Sequence, residues 1–186
     1  MATRASSSDP RAERVRESIK AAALESVVET RIEDVSVRAI VDRAGVSRPA
    51  FYLHFADRDA AVVAALTESF AAAVGDDRGR GGIEDLMRYA TSNVTLYRNL
   101  YPGVASQQVA QAFRERLRPL CRDYVRDLRR RLATAGATEE EFVVDFLAGG
   151  LMEVIMSWMA GRVTTVSPIH QTRAMLDALD RLLGVA

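Results

Sequence analysis

Ser36-Val-Arg-Ala-Ile-Val-Asp-Arg-Ala-Gly-Val-Ser-Arg-Pro-Ala-Phe-Tyr-Leu-His-Phe-Ala-Asp-Arg58 decides the fold of this chain. Val37, Ile40 and Val41 place apolar groups on one face of a first short helix, and Ala44-Gly45-Val46 supplies a tight turn in which glycine tolerates a positive φ. Ser47 then caps a second helix. Its hydroxyl accepts from a backbone N–H that has no helical partner, and Pro49, in the first turn, removes a donor that no carbonyl would meet. Two short helices joined by a three-residue turn containing glycine read as a helix-turn-helix.

The block resembles the DNA-binding segment of the TetR (tetracycline-repressor-like) family, in which an apolar-Ala run, Ala-Gly-Val-Ser, Tyr-x-x-Phe and a basic residue recur at this spacing. Here these are Ile40-Val41, Ala44 to Ser47, Tyr52, Phe55 and Arg58. The resemblance covers residues 10–75 and is architectural beyond them. Val41 stands where the family usually has Ala, Pro49 where Gly is common, and Arg58 where Lys is usual. The Ser-Arg-Pro-x-Phe-Tyr form is similar to the branch containing the ethionamide-resistance repressor. The resemblance implies an all-α chain: a three-helix helix-turn-helix head joined by a long helix to a helical ligand-binding and dimerisation domain. It also implies a homodimeric repressor, released from a palindromic operator by a small, largely apolar ligand.

Geometry distributes roles within the second helix, Ser47 to His54. A short helix reaches bases with its first turn and lies near the backbone at its end. Arg48 is therefore the base-reading candidate, because a guanidinium can meet guanine O6 and N7 together. Pro49 and Ala50 offer small apolar contacts, for instance to a thymine methyl. Ser36, Ser47, Tyr52, His54 and Arg58 each carry a donor suited to phosphate, and Arg58 follows Asp57, the expected cap of the next helix. Phe51 and Phe55 are expected in the core.

Charge supports only a local version of this reading, since 25 basic residues balance 25 acidic ones and the first 75 residues are no more basic than the whole. Binding must then rest on placement, with Arg4, Arg11, Arg14, Arg16 and Lys20 biasing the N-terminal arm and first helix, diluted by Glu13 and Glu17. Residues 1–8 are expected to be a disordered arm. At 186 residues and 48% hydrophobic content the chain can bury a core. Cys121, the single cysteine, excludes an intramolecular disulfide, and no apolar run near the N-terminus suggests a signal peptide, so cytoplasm is the expected compartment. Asp145 and Glu153 interrupt the apolar stretch from Phe142 to Ala160 and argue against a membrane span.

Asp9-Pro10 opens a first helix whose buried stripe is Val15, Ile19, Ala22, Ala23 and Val27. From Asp57 a long Ala-rich helix passes Val62, Leu66 and Phe70 to Gly75, completing a DNA-binding domain over 9–75. Asp76 to Gly82 reads as a flexible joint, with a ligand-binding and dimerisation domain over 83–186. It lacks the Gly-Lys-Ser/Thr ending of a phosphate-cradling loop. Helices are expected from Ile83 to Asn99, briefly after Pro102-Gly103, from Phe113 to Ala135, from Glu139 to Gly161 behind a Thr138 capping box, and from Pro168 to Leu183. The helices over 139–161 and 168–183 are the expected dimer interface: the first is apolar all round, and the family joins the two C-terminal helices of each subunit in a four-helix bundle.

Tyr89, Asn93 and Tyr97, at i, i+4, i+8, would share one helix face suited to an apolar ligand with a few polar atoms. Tyr101, Phe113, Tyr124, Met152, Met156 and Trp158 could complete that pocket, although methionines at helical spacing also suit a plain core. No cofactor is implied. His54 and His170 lie far apart in sequence and Cys121 has no evident base beside it, which speaks against an enzyme. Two other readings fit the same residues: an architectural DNA-binding dimer without inducer, and a helical protein that binds apolar ligands.

Overall fold

The computed structural model describes residues 9–132, 139–161 and 167–182. Among them are nine α-helices: α1 Pro10–Glu29, α2 Val37–Ala44, α3 Arg48–His54, α4 Arg58–Val74, α5 Gly79–Ser92, α6 Val94–Leu100, α7 Val104–Leu132, α8 Glu140–Met159 and α9 Pro168–Leu182. A 3-10 turn, Ile32–Asp34, links α1 to α2. The chain is all-α, with a helix-turn-helix head and a larger helical domain.

Helix starts in the head follow from side chains that meet orphaned N–H groups. Asp9 Oδ1 accepts from the Arg11 N–H at 2.9 Å, Ser36 Oγ from Ala39 at 3.1 Å, Ser47 Oγ from Ala50 at 3.2 Å and Asp57 Oδ1 from Ala60 at 2.8 Å. Gly45 closes α2 at φ 66°, where a side chain would be strained. Ile19, Ala23 and Val27 of α1, Ile40 of α2, Phe51 of α3 and Val62 of α4 meet in the head's core. Arg43 on α2 binds Glu29 at the end of α1 at 2.6 Å.

Three sequence expectations change in the larger domain. The stretch over 76–82 divides: Gly79 to Gly82 form the first turn of α5, and Gly79 and Gly82 are buried. Close packing explains these glycines, because a Cβ on Gly82 would lie 2.7 Å from Leu120 Cδ2 and 2.9 Å from the Asp77 carbonyl oxygen. Asn93 splits the helix expected from Ile83 to Asn99. Its side-chain amide donates to the Tyr89 carbonyl at 2.8 Å, competing with the helical ladder, and α6 starts afresh at Val94. The short piece after Gly103 and the helix expected from Phe113 are one continuous helix, α7. Thr138, the expected capping residue, lies outside the described residues; Glu139 precedes α8 without a side-chain cap.

α7 is the central helix, packed on α4, α5 and α8. Arg118 reaches Asp145 at 2.7 Å and Glu141 at 2.6 Å, Arg122 reaches Glu141 at 2.8 Å and Arg126 reaches Glu140 at 2.8 Å. Such exposed pairs add little stability each, so their main effect is to set how α7 and α8 align. Arg80 on α5 pairs with Asp177 and Asp180 of α9, holding the last helix in place. By length and composition α8 could cross a membrane, but here it buries Val144, Leu147, Leu151 and Ile155 in the core.

Candidate nucleic-acid interface and ligand cavity

Helix α3 turns Phe51 inward and presents Arg48, Pro49, Tyr52 and Leu53 outward. The Arg48 guanidinium lies 5.9 Å from the centre of the Tyr52 ring, a cation–π contact that draws both side chains onto one exposed row of the helix. Ser36 and Ser47 are exposed, and although each oxygen accepts the capping bond, each hydroxyl hydrogen is left to donate outward. Ala50 and His54 are half-buried, with His54 6.5 Å from the Phe55 ring.

Two cations expected to face DNA are held within the fold. Arg58 donates to the Glu33 carbonyl at 2.9 Å and the Val35 carbonyl at 2.6 Å, and pairs with Asp59 at 3.2 Å. It fastens the start of α4 to the turn before α2. Lys20 is buried between α1 and α4 with Glu17 and Glu68. Burial lowers its pKa, but the bonds to those carboxylates outweigh it and raise the pKa overall. Arg16 covers the Phe55 ring at 5.5 Å, and Arg4 lies outside the described residues. Sequence reading passed over Leu53, 84% exposed on α3, and Arg38, whose exposed side chain lies 3.6 Å from Asp42. Both stand in the opening stretch, and Leu53 was legible as the residue one helical turn beyond Pro49.

In the larger domain α5, α6, α7 and α8 surround a small apolar cavity of about 30 Å³. Of the residues expected to line a pocket, Tyr97, Tyr101, Phe113, Met152 and Met156 do so. The other four lie elsewhere. Tyr89 packs edge-on against Phe70 at 5.9 Å, Asn93 is occupied at the α5–α6 break, Tyr124 bonds Asp180 at 2.8 Å, and Trp158 lies under Arg98 at 5.9 Å. Ala90, Leu100, Ser106, Val109, Ala110, Ile155 and Met159 complete the wall. Val109 went unread because it falls between the two pieces into which sequence reading divided α7.

Residues 19–65 match the family model described as bacterial regulatory proteins, tetR family, and residues 80–165 match one described as transcriptional regulator C-terminal region. The chain carries both domains of the TetR family. The TetR-family head spans the capped helices and the exposed face of α3, and its C-terminal region encloses the cavity. Solved structures share this fold at low identity. The dihydroxyacetone kinase operon activator DhaS is 18% identical over 90% of this chain and 97% of its own, with a TM-score of 0.70. A TetR transcriptional regulator from Rhodococcus sp. RHA1 is 18% identical over 92% and 97%, at 0.59. The regulator FadR from Bacillus subtilis, solved with stearoyl-CoA, is 12% identical over 88% and 96%, at 0.62. No curated protein sequence matches the chain. It is a DNA-binding transcriptional regulator of TetR-like fold.

Proposed function

We propose that this regulator is a homodimeric repressor that leaves a palindromic operator when a small, largely apolar ligand enters the cavity. The observation that carries the reading is Phe70. It sits on α4, the helix that Arg58 fastens to the head, yet its ring stacks on Tyr97 at 6.5 Å and meets Phe113 edge-on at 5.3 Å. Both partners line the cavity. A ligand that displaces either ring changes the packing of α4, and the α4 start moves with the head.

Operator reading by Arg48, with Pro49, Ala50, Tyr52 and the hydroxyls of Ser36 and Ser47 beside it, requires two heads. One short helix covers few base pairs, whereas two-fold related heads read half-sites roughly 34 Å apart or more. Support for the dimer comes from α8, where Phe142 and Phe146 are 66% and 78% exposed one turn apart. A Cβ on Gly149 or Gly150, further along, would meet nothing within 4 Å. Two large exposed rings beside small residues suit close approach by the same face of a second copy, with α9 alongside.

Release requires the ligand to prefer the state in which the heads no longer match the grooves, by about 5.5 kcal/mol for a nearly complete switch. Coupling is reciprocal, so DNA must weaken the ligand by the same factor. The test is to select a binding site from random duplex DNA, label it, and titrate hydrophobic compounds against the complex by fluorescence anisotropy. Ligands that quench the single Trp158 yet leave DNA affinity unchanged at saturation would overturn the switch.

A further inference from the structure

Going beyond the cavity, we infer that an outer groove along α7 binds a carboxylate carried on a hydrocarbon body, and that the head senses its occupancy. The groove has a volume of about 630 Å³, against about 30 Å³ for the cavity beside it. Val104, Gln107, Gln111 and Arg114 line it at i, i+3, i+7 and i+10, one stripe of α7. Tyr101 and Pro102, just before α7, add to the end that bears Val104, and α8 contributes Met156. Tyr101 and Val104 are 51% and 64% exposed, so this end presents apolar surface to water.

Arg114 supplies the charge at the other end. Arg118, Arg122 and Arg126, which follow it at one-turn spacing, each reach a carboxylate of α8. At Arg114 that row runs out of partners. α8 brings no carboxylate to the groove, and Arg114 has no ion pair or hydrogen bond among the described residues. Its neighbour in sequence, Glu115, accepts from the Gln111 amide at 2.9 Å and does not line the groove. A guanidinium can hold both oxygens of a carboxylate, which favours that anion over an alcohol or an ammonium. From Val104 to Arg114 the helix rises about 15 Å, enough for a chain of about eight carbons between the charge and the apolar end.

The apolar end also touches the head. Arg31, just past α1, donates to the Tyr101 carbonyl at 3.3 Å. Asn99, two residues earlier, donates to the Val27 and Val28 carbonyls in the last turn of α1 at 2.8 Å and 3.3 Å. A chain packed on Tyr101 therefore bears on the segment that holds α1, and its entry alters how the head is held.

Octanoate, octan-1-ol and octylammonium, titrated calorimetrically into the full chain below their micelle concentrations, separate the possibilities. Octanoate is expected to bind about fivefold or more tightly than either of the others, the size of one charge-assisted contact at a partly exposed site. Arg114→Gln should remove that advantage, and Arg114→Glu should reverse it in favour of octylammonium. Arg114 is exposed, so both variants are expected to melt with wild type, which checks their folding. Saturating octanoate should also change the affinity of wild type for a selected operator, read by anisotropy. Octanoate bound no more tightly than octan-1-ol, or equally by wild type and Arg114→Gln, overturns the carboxylate site. Bound octanoate that leaves operator affinity unchanged overturns the link to the head. Either result leaves the cavity reading to its own test with neutral compounds.

Discussion

Arg48 and Arg58 come from one stretch of sequence and carry one charge, but their surroundings give them different work. Arg58 spends its guanidinium on the Glu33 and Val35 carbonyls, while Arg48 faces solvent with only the Tyr52 ring against it. Arg48→Ala should therefore weaken specific operator binding by about 1–3 kcal/mol without altering the melting temperature. Arg58→Ala should lower the melting temperature, since two carbonyls lose their partner. Anisotropy and calorimetry on the two variants decide this, and equal thermal stability for both would refute the division. Charge and position in the motif made both arginines legible as candidates; which carbonyls came within reach was not legible, because the turn that supplies them lies outside the motif. Cys121 shows the opposite case. Burial pushes its thiol up to about 12, so it stays protonated at neutral pH and acts as the small apolar group its sequence context suggested.

At the scale of the helix, starts were easier to read than continuity. Asp9, Ser36, Ser47 and Asp57 announce themselves, because a cap is a local bond between a side chain and a backbone group two or three residues on. The run from Asp76 to Gly82 misled for the converse reason. Glycine composition looks the same whether a chain needs freedom or needs to come close, and only the packed α7 reveals the second. Gly82→Ala is expected to destabilise by about 1–3 kcal/mol, an overpacking cost, since Leu120 can shift but the Asp77 carbonyl, at 2.9 Å from the added carbon, belongs to the backbone. Chemical denaturation measures this, and a neutral result would mean that the first turn of α5 is as yielding as a flexible joint. The cavity was half legible: Tyr97, Phe113 and the methionines were found by residue type, but Asn93 turned the expected Tyr-Asn-Tyr face into a corner between two helices.

For the molecule as a whole, one apolar core runs from Ile19 in the head to Leu176 in α9, so head and cavity are parts of a continuous interior. Outside it, α8 exposes two large rings on one face, Phe142 and Phe146. Phe146→Glu is expected to convert a dimer to a monomer in sedimentation velocity and to lower operator affinity steeply; an unchanged sedimentation coefficient would remove α8 from the interface. Lys20, buried in its pairs with Glu17 and Glu68, is the only lysine in the sequence. The side-chain cations that solvent and nucleic acid meet on the described surface, histidine aside, are therefore guanidinium groups, which stay charged throughout the physiological pH range. An acylating enzyme, the common means of erasing positive charge from a DNA-facing surface, would find no exposed ε-amine on which to act.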